Sequence, residues 1–293
     1  MITDSEFCGS HHLKQMIGEA VASDRFPQSL MLCGEEGLGR NYLARLAARD
    51  YLGDVNGLVL RGVHPDCILL RGRGASGDIS VEAVRNVSYE VNKAAVMTGM
   101  RRVVIIEDAG NLNQSSSAAL LKTLEQPPDG VVFLLTVSSP SDVTETVVSR
   151  CIITTITAPG PDECYDFLKN LPEYSNDLPS LREYSTLFRG RIGYVIRAID
   201  SEKFRNTLAV AGQFSKGFFS RDELTMSTAL DRAENRTNLA EILELSVFCL
   251  AGQSTDSKTV WGINMIEKMK NVLSGNMPPK LFSTVLVQRL IEG

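Results

Sequence analysis

The sequence predicts an α/β domain with an open parallel sheet, followed by an all-helical part. Three observations predict this class. Apolar, strand-like runs alternate with helical patterns up to about residue 158; two of those runs are continuously apolar rather than alternating; and the strand signals largely stop after the turn at 158–161. Continuous apolar runs are expected of parallel strands buried on both faces, and a repeated strand–turn–helix order is typical of an open parallel sheet.

The first half of the chain contains five strand-like runs. The third and fourth, "RRVVIIED" and "VVFLLTV", are the continuously apolar ones. Runs of four to eight apolar residues bounded by turn residues predict strands. The five predicted strands lie within residues 29–33, 67–70, 101–108, 131–137 and 151–157.

Helical patterns separate these strands. Apolar residues recur with a helical period over 41–52, directly after the first predicted strand. A second helix is predicted from Ser80, a suitable N-cap residue, with the acidic Glu82 in its first turn. A third helix, within "SSSAALLKTLEQPP", is predicted to end before Pro127 and Pro128, since proline interrupts a helix.

The remainder of the chain carries helical patterns alone. Short helices are predicted over 162–200, and longer ones from residue 202 onward. Such apolar stripes are typical of a core or of a subunit-packing surface. The stripes comprise Leu239, Ile242, Leu243 and Leu250; then Val260, Ile263, Ile266 and Met269; then Leu281, Val285 and Ile291. The predicted division is an α/β domain over 1–158, a small helical domain over 159–201 and a helical bundle over 202–293.

The net charge and the lengths of the apolar runs argue against two classes of protein, general nucleic-acid binders and membrane proteins. The 293 residues have a formal net charge of −5, which argues against a protein that binds nucleic acid over its whole surface. "RGRG" (71–74) and Arg101-Arg102 are only small basic clusters. No apolar run approaches the roughly 20 residues that a membrane span needs, and the N-terminus lacks the layout of a secretory signal. We therefore expect a cytoplasmic protein without membrane contact.

The cysteines and histidines predict no metal site. None of the cysteines forms a C-x-x-C pair or another compact zinc spacing, and the three histidines add no plausible ligand set. Cys33, Cys67 and Cys249 lie in apolar runs, where a thiol is most often a small buried hydrophobe, so reduced, structural cysteines are expected. The six cysteines of the chain are Cys8, Cys33, Cys67, Cys151, Cys164 and Cys249, and its three histidines are His11, His12 and His64.

A glycine-rich loop follows the first predicted strand. In "GEEGLGRN", Gly34 and Gly39 occupy the glycine positions of G-x-x-x-x-G-K-[ST], with Gly37 between them. However, Arg40 replaces the lysine that reaches the phosphates, and Asn41 replaces the hydroxyl residue that holds magnesium. The flanking strand and helix indicate a phosphate-binding loop, and the two replacements indicate that its catalytic parts are lost.

The end of the third strand departs from the same pattern. A phosphate-loop enzyme places an Asp-Glu pair there, the first for magnesium and the second for water activation. This chain has Glu107-Asp108, the reverse order. The exchange displaces both carboxylates by about one methylene, and a misplacement of ~1 Å can cost on the order of 100-fold in rate. We therefore predict no ATP hydrolysis at this loop.

These motifs resemble those of the AAA+ clamp-loader subunits of bacterial DNA polymerase III, in particular those of the delta-prime type. The most specific pieces are "ALLKTLEQPP" (119–128) and "SRC" (149–151), supported by "HPD" (64–66) and by "RFPQSLMLCGEEGLGR" (25–40). The resemblance covers residues 1–158 and extends to about residue 200. Over the C-terminal third it rests on helical character and length.

The resemblance implies an AAA+ domain, a helical lid and a C-terminal collar. Delta-prime subunits often have a degraded loop and act as a stator, a subunit that supports a five-subunit ring without hydrolysing ATP. The implied partners are gamma/tau-type and delta subunits, with the sliding clamp and primed DNA engaged through the complex. Arg150 of "SRC" matches the arginine finger that enters the ATP site of the neighbouring subunit. Tyr194 takes the place of an arginine that senses nucleotide in active members.

Two departures and two alternatives accompany this hypothesis. Many family members carry a four-cysteine zinc module before "HPD", but here the segment is "DYLGDVNGLVLRGV" without cysteine, so no zinc is predicted. Ala118 replaces the asparagine that usually precedes the "ALLK" helix. The main alternative is an active, gamma/tau-like ATPase that tolerates Arg40 and Asn41. A small-molecule phosphotransferase would need an acceptor pocket with a catalytic acid or base, and the sequence suggests none.

Overall fold

The computed structural model describes residues 1–72, 77–97, 101–273 and 277–293. Contacts divide the chain into two compact units. The first contains Met1–Asn170 and Arg189–Gly193, and the second contains Leu171–Phe188 and Tyr194–Gly293. The three-domain division with boundaries after residues 158 and 201 stays a prediction.

The first unit is built on a five-stranded parallel sheet with strand order β2-β3-β4-β1-β5. Each strand lies within one of the five runs predicted from the sequence. The strands are β1 (Ser29–Cys33), β2 (Cys67–Leu70), β3 (Arg102–Ile106), β4 (Val131–Val137) and β5 (Ile152–Thr155). The parallel sheet and the helical remainder described below confirm the predicted fold class.

The α-helices of the first unit are α1 (His11–Ala22), α2 (Arg40–Leu52), α3 (Val81–Glu90), α4 (Gln114–Glu125), α5 (Glu145–Val148) and α6 (Pro161–Lys169). Those from α1 to α5 contribute to the two cores on either side of the sheet. Alternate residues of β1, β3 and β4 point into two separate cores: Leu30 and Leu32 pack with α1 and α2, whereas Met31 packs in the core that includes α3 and α4. Ser80 caps α3 by accepting a hydrogen bond from the backbone N–H of Ala83 at 3.2 Å, as predicted.

The parallel direction places the carboxyl ends of β1, β3 and β4 along one edge of the sheet. In the register of the sheet, Leu32 of β1 lies opposite Thr136 of β4 on one side and Thr154 of β5 on the other. The glycine-rich loop leaves β1 at this edge, and Glu107 and Asp108 follow β3 there. Such an edge is where open α/β sheets bind ligands.

Strand β5 differs from the other strands. It lies at the end of the sheet order, and within the described residues it pairs only with β1. Its Ile152 and Ile153 side chains are 58% and 44% exposed, whereas every residue of β1, β3 and β4 is buried. The apolar composition of this run therefore predicts a strand correctly without predicting its burial.

The second unit is entirely helical within the residues described. Its helices are α7 (Leu178–Leu187), α8 (Ile192–Asp200, whose first two residues belong to the first unit), α9 (Glu202–Ser220), α10 (Glu223–Leu230), α11 (Arg236–Gln253), α12 (Ser257–Leu273) and α13 (Pro279–Glu292). One apolar core joins α9 to α13. No helix in the described part of the chain is long and apolar enough to cross a membrane.

Two of the predicted apolar stripes need correction. The stripe of α11 is buried as predicted, but Val260 of α12 and Leu281 of α13 are 49% and 53% exposed. The buried face of α13 instead includes Phe282, Leu286 and Leu290. A helical period alone predicts that a helix has an apolar face. The direction of that face depends on where the neighbouring helices lie, because apolar residues also occur on exposed positions.

An ion pair anchors the N-terminal segment to α2 and gives a prediction for acid stability. Glu6 binds the Arg49 guanidinium and also accepts hydrogen bonds from the Thr3 backbone N–H and hydroxyl, both at 3.0 Å. The bond from Arg49 is the main reason that the pKa of Glu6 falls from 4.5 to about 2. Because this pKa is lower in the folded chain, the stabilisation is complete above about pH 4.5 and is lost as the pH falls toward 2.

Glu6→Gln should therefore lower the free energy of unfolding at neutral pH by about 2 kcal/mol, with allowance for the exposed part of the Glu6 side chain. The difference from the unmodified chain should disappear near pH 2. Urea unfolding at pH 7, 4 and 2.5 measures it, with the exposed Glu183→Gln as a matched control. An equal loss of stability at all three pH values would contradict the assignment.

Candidate functional site: the glycine-rich loop and Arg150

The loop between β1 and α2 has a backbone that needs its glycines. Gly37 and Gly39 adopt positive φ angles of 85° and 78°, which glycine accepts without strain. Gly39 is the N-cap of α2, and a Cβ atom there would lie 3.1 Å from the Phe7 ring. The loop therefore turns sharply into α2, whose first backbone N–H groups lack intrahelical partners and point toward the loop.

Arg40 begins α2, and its side chain turns back to oxygen atoms of the chain itself. Its Nη1 donates to the Gly34 carbonyl at 2.9 Å, and its Nη2 and Nε donate to Oδ1 of Asp108 at 2.6 and 3.2 Å. The Arg40 side chain is only 14% exposed. The guanidinium thus joins the two ends of the candidate site, the loop after β1 and the carboxylate after β3.

Asn41 is bound in the same cluster. Its amide nitrogen donates to Oδ2 of Asp108 at 3.4 Å, and its amide oxygen accepts a hydrogen bond from the hydroxyl of Thr136. The Thr136 hydroxyl in turn accepts the backbone N–H of Asp108 at 2.9 Å. One continuous hydrogen-bonded network therefore lies at the carboxyl ends of the strands. Its members are Arg40, Asn41, Asp108 and Thr136.

Glu107 and Asp108 point to different partners. Glu107 is buried and binds the guanidinium of Arg45 on α2, with oxygen–nitrogen distances of 2.7 and 3.0 Å to Oε1. Asp108 has a positive φ of 52° and directs its carboxylate to the loop. The carboxylate that reaches the phosphate-loop position is therefore that of Asp108, and Glu107 is engaged in an ion pair with α2.

A second segment of the first unit covers the loop. The backbone N–H of Gly193 donates to the Gly37 carbonyl at 2.8 Å, and a Cβ atom on Gly193 would lie 3.0 Å from the Cα of Gly37. Arg191 forms an ion pair with Glu35, whose side chain is otherwise largely exposed. The start of α8 thus lies in close backbone contact with the glycine-rich loop.

Arg150 lies outside this network. It follows α5 and precedes β5, with its side chain about one-third exposed. Its Nη1 donates to the Thr146 carbonyl at 2.7 Å and to the Ser149 hydroxyl at 3.3 Å, and its Nη2 binds the carboxylate of Glu125. The guanidinium is therefore at the surface, held by groups of α4 and the α5 segment.

Tyr194 is a core residue of the second unit. Its ring is 2% exposed and packs against Phe188, Phe204 and Phe248, and its hydroxyl donates to a carboxylate oxygen of Glu244. A tyrosine in this position fills an aromatic core with its polar end satisfied, as buried tyrosines generally do.

The cysteines are free thiols in the structure. Burial raises the pKa of the Cys8 and Cys67 thiols to about 12 and that of Cys151 and Cys249 to about 11. These thiols are therefore protonated and weakly nucleophilic at neutral pH, because the thiolate is the reactive form. Among the described residues, no group of three His, Cys, Asp or Glu side chains is arranged to hold a metal ion.

The "HPD" motif has a structural role that the sequence did not reveal. Asp66 is fully buried and accepts the backbone N–H groups of Val96 and Met97 at 2.6 and 2.7 Å. The guanidinium of the buried Arg102 lies 3.6 Å away, and Nδ1 of His64 accepts the backbone N–H of Asp66 at 3.1 Å. The motif thus fixes the segment before β3. Residues 73 and 74 of the "RGRG" cluster lie outside the described part of the chain.

Sequence reasoning also missed three partners of the site residues: Arg45, Thr136 and Glu125. Thr136 carried a usable signal, since a hydroxyl near the carboxyl end of an otherwise apolar buried strand needs a hydrogen-bond partner. Arg45 and Glu125 carried none, because charged residues on helices are usually exposed.

A match to a family model shows which protein family this chain belongs to. A family model described as DNA polymerase III, delta subunit, matches residues 9–159, which is just over half of the chain. The chain belongs to this family. The matched part begins before α1, includes the whole sheet and ends after β5, so it contains the loop, Asp108 and Arg150.

Curated relatives agree with a delta-prime-like subunit. The chain is 33% identical to DNA polymerase III subunit delta' of Pseudomonas aeruginosa over 156 residues, 49% of this chain and 47% of the relative. It is 36% identical to subunit delta' of Escherichia coli over 106 residues, 36% of this chain and 31% of that relative. It is 29% identical to subunit tau of the same species over 51% of this chain and 25% of tau. The matches thus span about half the length of the relatives or less.

Solved structures support the fold alone. A DNA polymerase III gamma subunit-related protein from Thermotoga maritima superimposes with a TM-score of 0.56 at 14% identity, covering 95% of this chain and 98% of that one. The RuvB Holliday junction branch migration motor of the same species gives a TM-score of 0.51 at 13% identity, covering 95% and 82%. A parallel sheet followed by a helical part is therefore shared across these proteins.

Proposed function

We propose that this chain is a delta-prime-type stator of the bacterial clamp loader, which supports ATP-driven loading of the sliding clamp onto primed DNA without hydrolysing ATP itself. The observation that carries the proposal is the contact between Arg40 and Asp108. In this contact the cation of the loop and the carboxylate opposite it neutralise each other.

In a working ATP site, the loop cation and the opposing carboxylate bind the nucleotide and its magnesium ion. The cation at position 40 would have to reach phosphate, and the carboxylate would have to bind magnesium. Here Arg40 donates to Gly34 and Asp108, and Asn41 offers an amide in place of the hydroxyl that normally binds magnesium. The contact between Gly193 and Gly37 further restricts access to the loop. The residues present therefore do not fit a magnesium–ATP complex.

The proposed catalytic contribution of this chain comes from Arg150. When water attacks the γ-phosphorus of ATP, the bond to the bridging oxygen breaks and ADP leaves with the electron pair, while negative charge spreads over the equatorial oxygens. A guanidinium from a neighbouring subunit stabilises that charge. The exposed position of Arg150 at the surface of the first unit supports this role, as does the similarity to delta-prime subunits.

The similarity to delta' and tau subunits supports a role in an assembly with other clamp-loader subunits. Gamma/tau-type subunits would hydrolyse ATP, this chain and a delta subunit would complete a five-subunit ring, and the C-terminal helices of the second unit would form a collar. The complex, with no membrane component, would act in the cytoplasm on the clamp and primed DNA. We propose that neither zinc nor a resident nucleotide contributes to the function of this chain.

The second candidate is an active ATPase of the gamma/tau type. The left-handed Gly37 and Gly39 and the helix that follows them retain the backbone of a phosphate loop, and tau and gamma subunits are among the relatives over the same half of the chain. The two candidates differ in one measurable property, which is nucleotide binding by the isolated chain.

Titration of the isolated chain with ATP and magnesium tests this property. Because Arg40 and Asp108 are bound to each other, we expect no binding heat at micromolar ATP and no phosphate release. Arg40→Ala is the matched variant, since it removes the cation that a working loop would need for phosphate. Micromolar binding with turnover that Arg40→Ala abolishes would overturn the stator proposal in favour of the active ATPase.

A further inference from the structure

The guanidinium of Arg150 is bound within its own subunit. Its Nη2 contacts Oε1 of Glu125, the last residue of α4, while Nη1 donates to the Thr146 carbonyl at 2.7 Å. A guanidinium that is paired with a carboxylate has its charge largely neutralised for any third group. Arg150 must therefore leave Glu125, or share its charge with it, before it acts on a phosphate of another subunit.

Glu125 occupies a well-defined position. The α4 helix is capped by Asn113, which accepts the backbone N–H of Ser116 at 2.9 Å, and its last turn buries Leu124. On the other side of the pair, Val147 anchors α5 with no exposed surface. The carboxylate and the guanidinium thus project from two packed segments, so their contact does not depend on a mobile chain end.

The Glu125–Arg150 ion pair is also weak enough to open. Glu125 and Arg150 are 48% and 33% exposed, and exposed ion pairs contribute little to stability and are screened by salt. A phosphate group carries more negative charge than a carboxylate, so it can displace Glu125 from the guanidinium when the subunits are in contact.

We propose that Glu125 is a positioning residue for Arg150: it binds the guanidinium in the free subunit and competes with the phosphate of the neighbouring ATP for it. This inference rests on the proposed function, since it assumes that Arg150 acts in trans. The inference adds that the Glu125 carboxylate reduces the catalytic contribution of Arg150. The attraction between Glu125 and Arg150, and therefore this reduction, weakens as the salt concentration rises.

The test is the ATPase activity of the assembled clamp loader containing Glu125→Gln. The quantity measured is the Arg150-dependent part of kcat/KM for ATP, obtained by subtracting the rate of a loader with Arg150→Ala. At about 50 mM salt we expect Glu125→Gln to raise this part by about 2- to 5-fold, the range that an exposed ion pair allows. At about 500 mM salt the two loaders should converge, because salt screens the pair in the unmodified chain.

Three further variants separate positioning from a structural effect. Glu125→Asp retains the charge and should remain close to the unmodified chain. The double variant Glu125→Gln/Arg150→Ala should equal Arg150→Ala alone, since Glu125 acts only through Arg150. Glu145→Gln removes an exposed carboxylate of α5 and should change nothing.

The outcomes distinguish this inference from the proposed function. If Arg150→Ala leaves the ATPase of an intact loader unchanged, the proposed finger role fails. If Arg150→Ala is impaired but Glu125→Gln is equal to or slower than the unmodified chain at low salt, the finger role stands and the inference about Glu125 is overturned. A gain that is the same at both salt concentrations also overturns it.

Discussion

Replacement of Arg150 by alanine is expected to lower ATP hydrolysis at the neighbouring subunit's site by ~10³-fold or more, with the assembled clamp loader intact. Under the proposed function this guanidinium enters the ATP site of another subunit, and a trans guanidinium acts mainly on the transition state. The loss should therefore appear in kcat and in kcat/KM, while binding of ATP changes less.

The measurement is clamp-stimulated ATP hydrolysis by a reconstituted loader whose composition is checked by size-exclusion chromatography. Arg150→Lys retains one charge without the planar fork and should recover only part of the rate. Arg25→Ala, at another exposed arginine, is the matched control and should behave as the unmodified chain. Unchanged hydrolysis in an intact Arg150→Ala loader would remove the central element of the proposed function.

Replacement of Asp66 by alanine is expected to lower the free energy of unfolding by about 3–5 kcal/mol. Asp66 is fully buried, and its carboxylate accepts two backbone N–H groups beside the buried guanidinium of Arg102. Removing the carboxylate leaves the two backbone N–H groups without their acceptor. Among the described residues, Arg102 then keeps hydrogen bonds to the carbonyls of Glu90 and Ala94.

Urea unfolding measures this effect. Asp66→Asn keeps the volume but loses the charge and one acceptor oxygen, so it should also destabilise the chain, by less than Asp66→Ala. Asp129→Asn, at an exposed position, is the control and should change stability by less than about 0.5 kcal/mol. A loss below about 1 kcal/mol in Asp66→Ala would show that Arg102 finds other partners when the carboxylate is absent.

The elements of the sheet could be predicted from the sequence because each depends on a local pattern. The runs that became β3 and β4 are continuously apolar rather than alternating, apart from Arg102 and Thr136, and Ser80 and Pro127 lie near the ends of α3 and α4. The strand order β2-β3-β4-β1-β5 has no comparable local signal, since it depends on how the connections cross the sheet.

The site was predicted in its residues but not in its contacts. The replacements at Arg40 and Asn41 are visible in the motif, but their contact with Asp108 exists only because β3 and β1 lie on either side of β4. In the same way, the pairing of Glu107 with Arg45 depends on which face of α2 covers the sheet. Sequence spacing fixes neither, because the two partners are more than sixty residues apart.

The exposed edge strand has a consequence for handling the isolated chain. One side of β5 pairs with β1, and within the described residues the other side has no strand beside it, while Ile152 and Ile153 are exposed. An unpaired edge with apolar side chains is a template for strand addition by another molecule. Concentrated solutions of this chain alone should therefore tend toward self-association and precipitation, and a charged substitution at Ile152 is the simplest change that would improve its solubility.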